Sequence, residues 1–245
     1  MAVGLIAESA GTDLLRFRDE PSGCTFYIGT PQAHPRLWRR NIDGALGVYR
    51  HYGVDVALDY DNVIDGHSTA LFMTALDADG QVVAGLRAQG PYAHIDEAAA
   101  LLEWTGQPGE AHFRRMISDR IPEGVVELKA AWVARDAECR VELGAAIPRG
   151  AVHLTRLLGA RYGLGTAASH AADRYRTAGG VIAWWIPPVP YPDERYRTVP
   201  MWWDLPNVRN VAEPAQLALI EAETAQLEAP SAMLPDPARC RGGLA

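Results

Sequence analysis

The first residue with chemistry to offer is Glu127, set in the run Gly124-Val-Val-Glu-Leu-Lys-Ala-Ala-Trp-Val-Ala134, whose other members suit a buried strand. Period-two alternation places Glu127, Lys129 and Ala131 on one face and Val126, Leu128 and Ala130 on the other. A carboxylate on such a strand is costly to bury unless it is paired or functional. Lys129 is its natural partner, and it is the one lysine of a chain with twenty-two arginines. A salt-bridged pair on a solvent-facing strand would show the same pattern. If the pair is functional, Glu127 is a proton acceptor whose pKa burial raises and Lys129 lowers.

Other chemistries have weaker signals. The seven histidines show neither H-x-x-x-H nor H-E-x-x-H spacing, so no metal site is expected. Ser68 follows Gly66-His67 and lies in no G-x-S-x-G elbow, and no phosphate loop of the G-x-x-x-x-G-K type occurs. Cys24, Cys139 and Cys240 are widely spaced and odd in number, which predicts reduced thiols and no disulfide framework.

The whole chain narrows the choice further. Its 245 residues carry a net charge of −7, so no global field draws it to nucleic acid or anionic lipid, and a small molecule or another protein is the expected partner. No run approaches a membrane span and the N-terminus lacks a signal-peptide layout, which predicts a cytoplasmic protein.

The elements that must position Glu127 follow from periodicity. Apolar residues from Leu37 to Tyr52 recur near every 3.6 positions, predicting a helix that ends at Gly53. Ser68–Leu76 and Gln81–Ala88 flank an Asp-Gly turn and predict a hairpin. Helical stretches at 96–104 and 109–119 precede the strand of Glu127. A helix over 151–162, a short strand at 166–168, a helix over 170–178 and strands at 181–186 and 197–203 complete the order. Hairpins mixed with one or two crossover helices predict an α+β fold with a single mixed, mostly antiparallel sheet flanked by helices. Residues 1–35 read as an N-terminal extension with one short strand, 36–208 as the main domain, and 209–245 as a C-terminal helix followed by a mobile tail.

This order, with its local motifs, resembles the GCN5-related N-acetyltransferase (GNAT) superfamily, in particular its acyl-homoserine lactone synthase and long-chain N-acyl amino acid synthase branches. The resemblance spans about residues 37–205. It rests on Arg50-His-Tyr-Gly53 followed by Asp61-Asn-Val-Ile-Asp65-Gly66, on Asp79-Gly80-Gln-Val-Val-Ala-Gly85-Leu-Arg87, and on Glu127-Leu-Lys-Ala-Ala-Trp-Val133. Tyr162-Gly-Leu-Gly-Thr-Ala-Ala-Ser169 with Ala178-Gly-Gly180, and then Glu194-Arg-Tyr196, complete it. Two positions depart from the lactone synthases: Ala130 stands three residues after the glutamate where they carry arginine, and Val54 replaces an aromatic.

The resemblance implies transfer of a fatty acyl group from an acyl carrier protein or acyl-CoA thioester to the amine of an amino-acid-like acceptor. It implies no tightly bound cofactor and an acyl-donor cleft between central strands. Glu127 would accept the ammonium proton and Tyr175 would protonate the leaving thiolate. Amides near Ala131, Trp132 and Val133 would receive the oxyanion, and Arg87 or Lys129 the acceptor's carboxylate, unless Arg87 is tied to Asp61 or Asp65. Thr166, Ala167 and Ala168 leave room for a long chain, with Thr166 and Ser169 in the acyl-binding half and Trp184 and Trp202 walling the acyl pocket. Docking of an acidic carrier would need a local patch from Arg114, Arg115 and Arg120, or from Arg156, Arg161, Arg174 and Arg176. Lactone synthesis and a non-catalytic acyl-binding module are the rival readings.

Overall fold

The computed structural model describes residues 14–229. An eight-stranded sheet runs in the order β1-β2-β3-β4-β5-β6-β8-β7. Its strands are β1 (Leu15–Arg18), β2 (Thr25–Gly29), β3 (Leu71–Leu76), β4 (Val82–Gln89), β5 (Val125–Val133), β6 (Tyr162–Ala168), β7 (Val181–Ile182) and β8 (Thr198–Asp204). Every pairing is antiparallel except β5 with β6. A parallel neighbour requires a crossover, and an 18-residue helix between the two strands supplies it. The helices are α1 (Pro35–Tyr52), α2 (Tyr60–Val63), α3 (Ala100–Glu103), α4 (Glu110–Ser118), α5 (Arg140–Leu157), α6 (Ser169–Thr177), α7 (Val208–Val211) and α8 (Pro214–Glu228).

Each face of the sheet has its own core. On one, α5, α6 and α8 cover Leu86, Val126, Leu128, Met201 and Trp203. On the other, α1 packs Trp38, Ile42 and Ala45 on Phe72 and Trp132, while α3 and α4 bring Trp104 and Phe113 against Leu164 and Trp202. The approach of α1 depends on glycine: a Cβ on Gly44 would overlap the Trp132 ring, and one on Gly85 would overlap the Asn41 amide. That contact, with Trp132 Nε1 donating to Asn41 Oδ1 at 3.3 Å, sets the middle of α1 against β5.

Several elements differ from the sequence reading, each for a physical reason. Residues 15–29 form two strands that extend the sheet, through a turn tied by Gly23 N–H to Asp19 O. Helix α5 begins at Arg140 and continues through Pro148, whose missing N–H leaves only the Gly144 carbonyl without its helical donor. Strand β6 begins at Tyr162, with Gly163 where a Cβ would overlap the Thr155 hydroxyl and Gly165 where one would crowd the Trp203 ring. Strand β7 stops at Ile182, so Trp184 and Trp185 sit on an exposed turn. Residues 230–245, with Cys240 and the tail expected there, lie outside the described residues. Among the described residues no helix is long and apolar enough to cross a membrane.

Candidate active site

Two irregularities open the sheet beside Glu127. Pairing of β5 with β6 ends at Leu128 and Gly165, while β5 continues along β4 to Val133 and β6 continues along β8 to Ala168. Beyond Leu128, the β6-side edge of β5 therefore has no strand partner. On its other side β5 carries a bulge, since Lys129 pairs with Arg87 and Trp132 with Gly85, so that Ala130 and Ala131 together oppose Leu86. Ala130 takes a φ of 51° to make it. The bulge shifts the alternation, which turns Trp132 towards α1 on the Glu127 face.

The resulting wedge is a cleft of about 880 Å³, within the range of small-molecule sites. Its floor is apolar, built from Leu86, Leu128, Ile147, Ala151, Met201 and Trp203. Ala131, Trp132, Val133, Thr166 and Tyr175 line it, as does Lys129. Arg140 and Arg174 flank the exposed mouth and neither is in an ion pair among the described residues; the Arg174 guanidinium lies over Gly144 in the first turns of α5.

At the cleft's closed end lies a chain of charges. Lys129 Nζ is 3.0 Å from Glu127 Oε1 and 3.9 Å from Glu103 Oε1. Glu127 is fully buried and fully engaged: its Oε2 accepts from Tyr92 Oη at 2.8 Å and from the Ala100 N–H at 3.2 Å. It does not line the cleft. Glu103, which the sequence reading passed over, does. Its side chain is 4% exposed, its Oε1 accepts from Thr166 Oγ1 at 3.1 Å, and its Oε2 is buried without a partner. Burial pushes the Glu103 carboxyl up to about 7, against the lowering pull of Lys129 and of the Thr166 hydroxyl. The one sequence hint was an acid in the otherwise apolar stretch Ala98–Trp104.

The remaining expected residues are dispersed. Arg87 is buried beneath the site, donating to Ser68 O at 3.3 Å and Thr69 Oγ1 at 3.2 Å, with no ion pair to Asp61 or Asp65. Ser169 is exposed at the start of α6, its N–H bound to Arg197 O, outside the cleft. Trp184 is 72% exposed, and Trp202 points to the opposite core under the Arg120 guanidinium, so neither lines the pocket; alternation along β8 puts Trp203 there instead. Burial raises the Tyr175 phenol, keeping it protonated at neutral pH, while its ring stands edge-on to Trp203.

Of the arginines expected to form a carrier patch, Arg114, Arg115, Arg161 and Arg176 are paired with neighbouring carboxylates. Arg156 donates to Thr224 and Arg120 stacks on Trp202, which leaves Arg174 beside the cleft. Cys24 and Cys139 are free thiols with their sulfurs 3.6 Å apart. Among the described residues no group of three or more His, Cys, Asp or Glu side chains is placed to hold a metal ion.

No model of a known protein family matches the chain. An uncharacterised protein of Mycobacterium tuberculosis H37Rv, Rv1356c, is 45% identical over 204 residues, covering 83% of this chain and 78% of that protein, and the corresponding Mycobacterium bovis protein, Mb1391c, matches equally. The chain belongs to their family. Among solved structures, FeeM, an N-acyl amino acid synthase from uncultured soil microbes, superposes with a TM-score of 0.54 at 11% identity, covering 78% of this chain and 96% of FeeM. The acyl-homoserine lactone synthase LasI gives 0.51 at 13% identity, over 75% of this chain and 91% of its own. The CoA-dependent lactone synthase BjaI gives 0.50 at 13%, over 92% and 94%. The fold is that of the GNAT superfamily, and it resembles the lactone synthase branch.

Proposed function

We propose that the protein is an N-acyltransferase that moves a fatty acyl group from an acyl carrier protein or acyl-CoA thioester to the amine of an amino-acid-like acceptor. The observation that carries the reading is the wedge between β5 and β6, which joins an unpaired strand edge, an apolar floor and a cationic mouth in one cleft. FeeM and the lactone synthases share the fold, and the reading takes acyl transfer from them.

The thioester carbonyl lies along the free edge of β5, where the Val133 amide, directed away from β4, faces the developing oxyanion. The acyl chain runs over the floor beneath Trp203, and Arg140 and Arg174 meet the phosphate of the donor's arm. Lys129 holds the acceptor's carboxylate. The neutral amine attacks the carbonyl carbon, the C–S bond breaks as the amide forms, and Tyr175 gives its proton to the thiolate. The second proton of the attacking nitrogen then restores the phenol through water. Lactone formation stands behind this reading, because Ala130 offers no side chain for the arginine's role and its backbone is committed to the bulge.

The test is to incubate the protein with acyl carrier protein and acyl-CoA donors of several chain lengths and a mixture of amino acids, following free thiol and new amides by mass spectrometry. Thiol release coupled to an N-acyl amino acid is expected. No thiol release with any donor would overturn the reading, and a lactone product would replace it.

A further inference from the structure

We propose that Glu103 is the group that takes the proton from the acceptor's ammonium, and that Glu127, the strand acid, is a positioning residue that holds Glu103 and Lys129 in place. The inference rests on the acyl-transfer reading and assigns its base.

Access and vacancy separate the two carboxylates. Glu127 does not line the cleft and both its oxygens are partnered: Lys129 takes one, while Tyr92 and the Ala100 amide take the other. Glu103 lines the cleft, and its Oε2, buried at the cleft wall, has no partner: an orphaned acceptor that an ammonium entering beside it would satisfy. The hydrogen bond from Ala100 explains what Glu127 does instead. Ala100 opens the one-turn helix α3, whose last residue is Glu103, so a single buried carboxylate fixes both the helix that carries Glu103 and the lysine beside it.

The proton balance is complete. The ammonium of the acceptor passes one proton to the Glu103 carboxylate, leaving a neutral nitrogen to attack the thioester. The acid so formed gives its proton to water after the amide has left. The groups around Glu103 tune this exchange. Lys129 and Glu127 face it from β5, Thr166 from β6, Tyr49 from α1 and Tyr191 from the loop before β8, with Arg87 of β4 acting on Glu127 and Tyr49. With its carboxyl at about 7, Glu103 is ionised in a useful fraction at neutral pH yet basic enough to accept a proton.

The experiment is the pH profile of kcat/KM for the wild type and three variants of the full chain. The wild type is expected to lose activity below pH about 7 along a single acid limb. Glu103→Gln is expected to lower kcat/KM by roughly 10²–10⁴-fold, the usual range for a lost general base. Glu127→Gln, which keeps an acceptor for Tyr92 and Ala100 but loses the carboxylate that holds Lys129, is expected to lower kcat/KM by less than Glu103→Gln does and to move the limb to lower pH, because the charge that opposes ionisation of Glu103 is gone. Thr166→Val removes one hydrogen bond from the carboxylate at a half-buried site that tolerates the change, and moves the limb to higher pH. Unchanged activity in Glu103→Gln overturns the assignment, as does a Glu127→Gln that is folded, as inactive as Glu103→Gln and unshifted. A limb that Thr166→Val leaves in place does the same. A wild type inert with every donor overturns the acyl-transfer reading itself and this inference with it.

Discussion

Two clusters of buried charge lie on opposite faces of the sheet, and only one of them looks like a site. On the α5/α8 face, Arg149 donates to both oxygens of Glu223 at 2.9 and 3.1 Å, to Asp19 at 2.5 Å, to Gln216 at 2.9 Å and to the Ala145 carbonyl. His153 adds a contact to Glu223 at 2.7 Å. Every guanidinium donor has an acceptor, and the one orphan of the group, the buried His153 Nδ1, lies away from the cleft, which none of these residues lines. On the α1/α3 face, Lys129 bridges Glu127 and Glu103, and one buried carboxylate oxygen of Glu103, a residue that lines the cleft, is left without a partner. Burial of charge is therefore not what marks a site; incomplete satisfaction next to open space is.

The comparison can be broken in several ways. Arg149→Met leaves Asp19 and Glu223 buried without their cation and is expected to cost about 3–5 kcal/mol in denaturant unfolding. The folded fraction should transfer acyl groups as before; lost activity in folded protein would erase the distinction between the clusters. The Glu103 carboxyl, held at about 7 when folded against 4.5 otherwise, binds a proton more tightly in the native state. Its contribution to stability is full below pH 4.5 and lost as pH rises through about 7, on the order of 3 kcal/mol in total. Unfolding midpoints of the wild type and Glu103→Gln should therefore diverge with rising pH, and parallel curves would deny the raised carboxyl.

Lys129→Met removes the cation that favours ionised Glu103. It should move the acid limb of the rate profile to higher pH and, because Lys129 also holds the acceptor's carboxylate, raise KM for the acceptor by about tenfold or more. Smallest of all, Trp184→Ser and Trp185→Ser, on an exposed turn, should change stability by less than about 0.5 kcal/mol and leave turnover alone. Differential scanning calorimetry and the thiol assay check both.

Legibility in the sequence tracked the range of the interactions. The helix at Pro35–Tyr52, the hairpin about Asp77–Gly80 and the Glu127 strand show local periodicity and turn chemistry, and the sequence predicts all three. The sequence places the crossover helix over 151–162 and the next strand at 166–168, whereas α5 runs Arg140–Leu157 and β6 starts at Tyr162; both bounds are settled by packing between distant segments. At the site, the Glu127–Lys129 pair was visible because it lies two residues apart on one strand. Glu103 was not, since its approach to Lys129 and Thr166 depends on where α3 docks against the sheet. The bulge at Ala130 defeats simple alternation, and with it any assignment of faces beyond Lys129.

The proposed base is defined by one ionisation, that of the Glu103 carboxyl. Carboxyl titration followed by isotope-edited infrared spectroscopy, in the wild type and in Glu103→Gln, reads it without any substrate. The prediction is a single carboxyl with a midpoint near 7 that is absent from the variant. A wild type whose carboxyls all titrate in the ordinary range, below about 5, would contradict the assignment of Glu103 as the poised group.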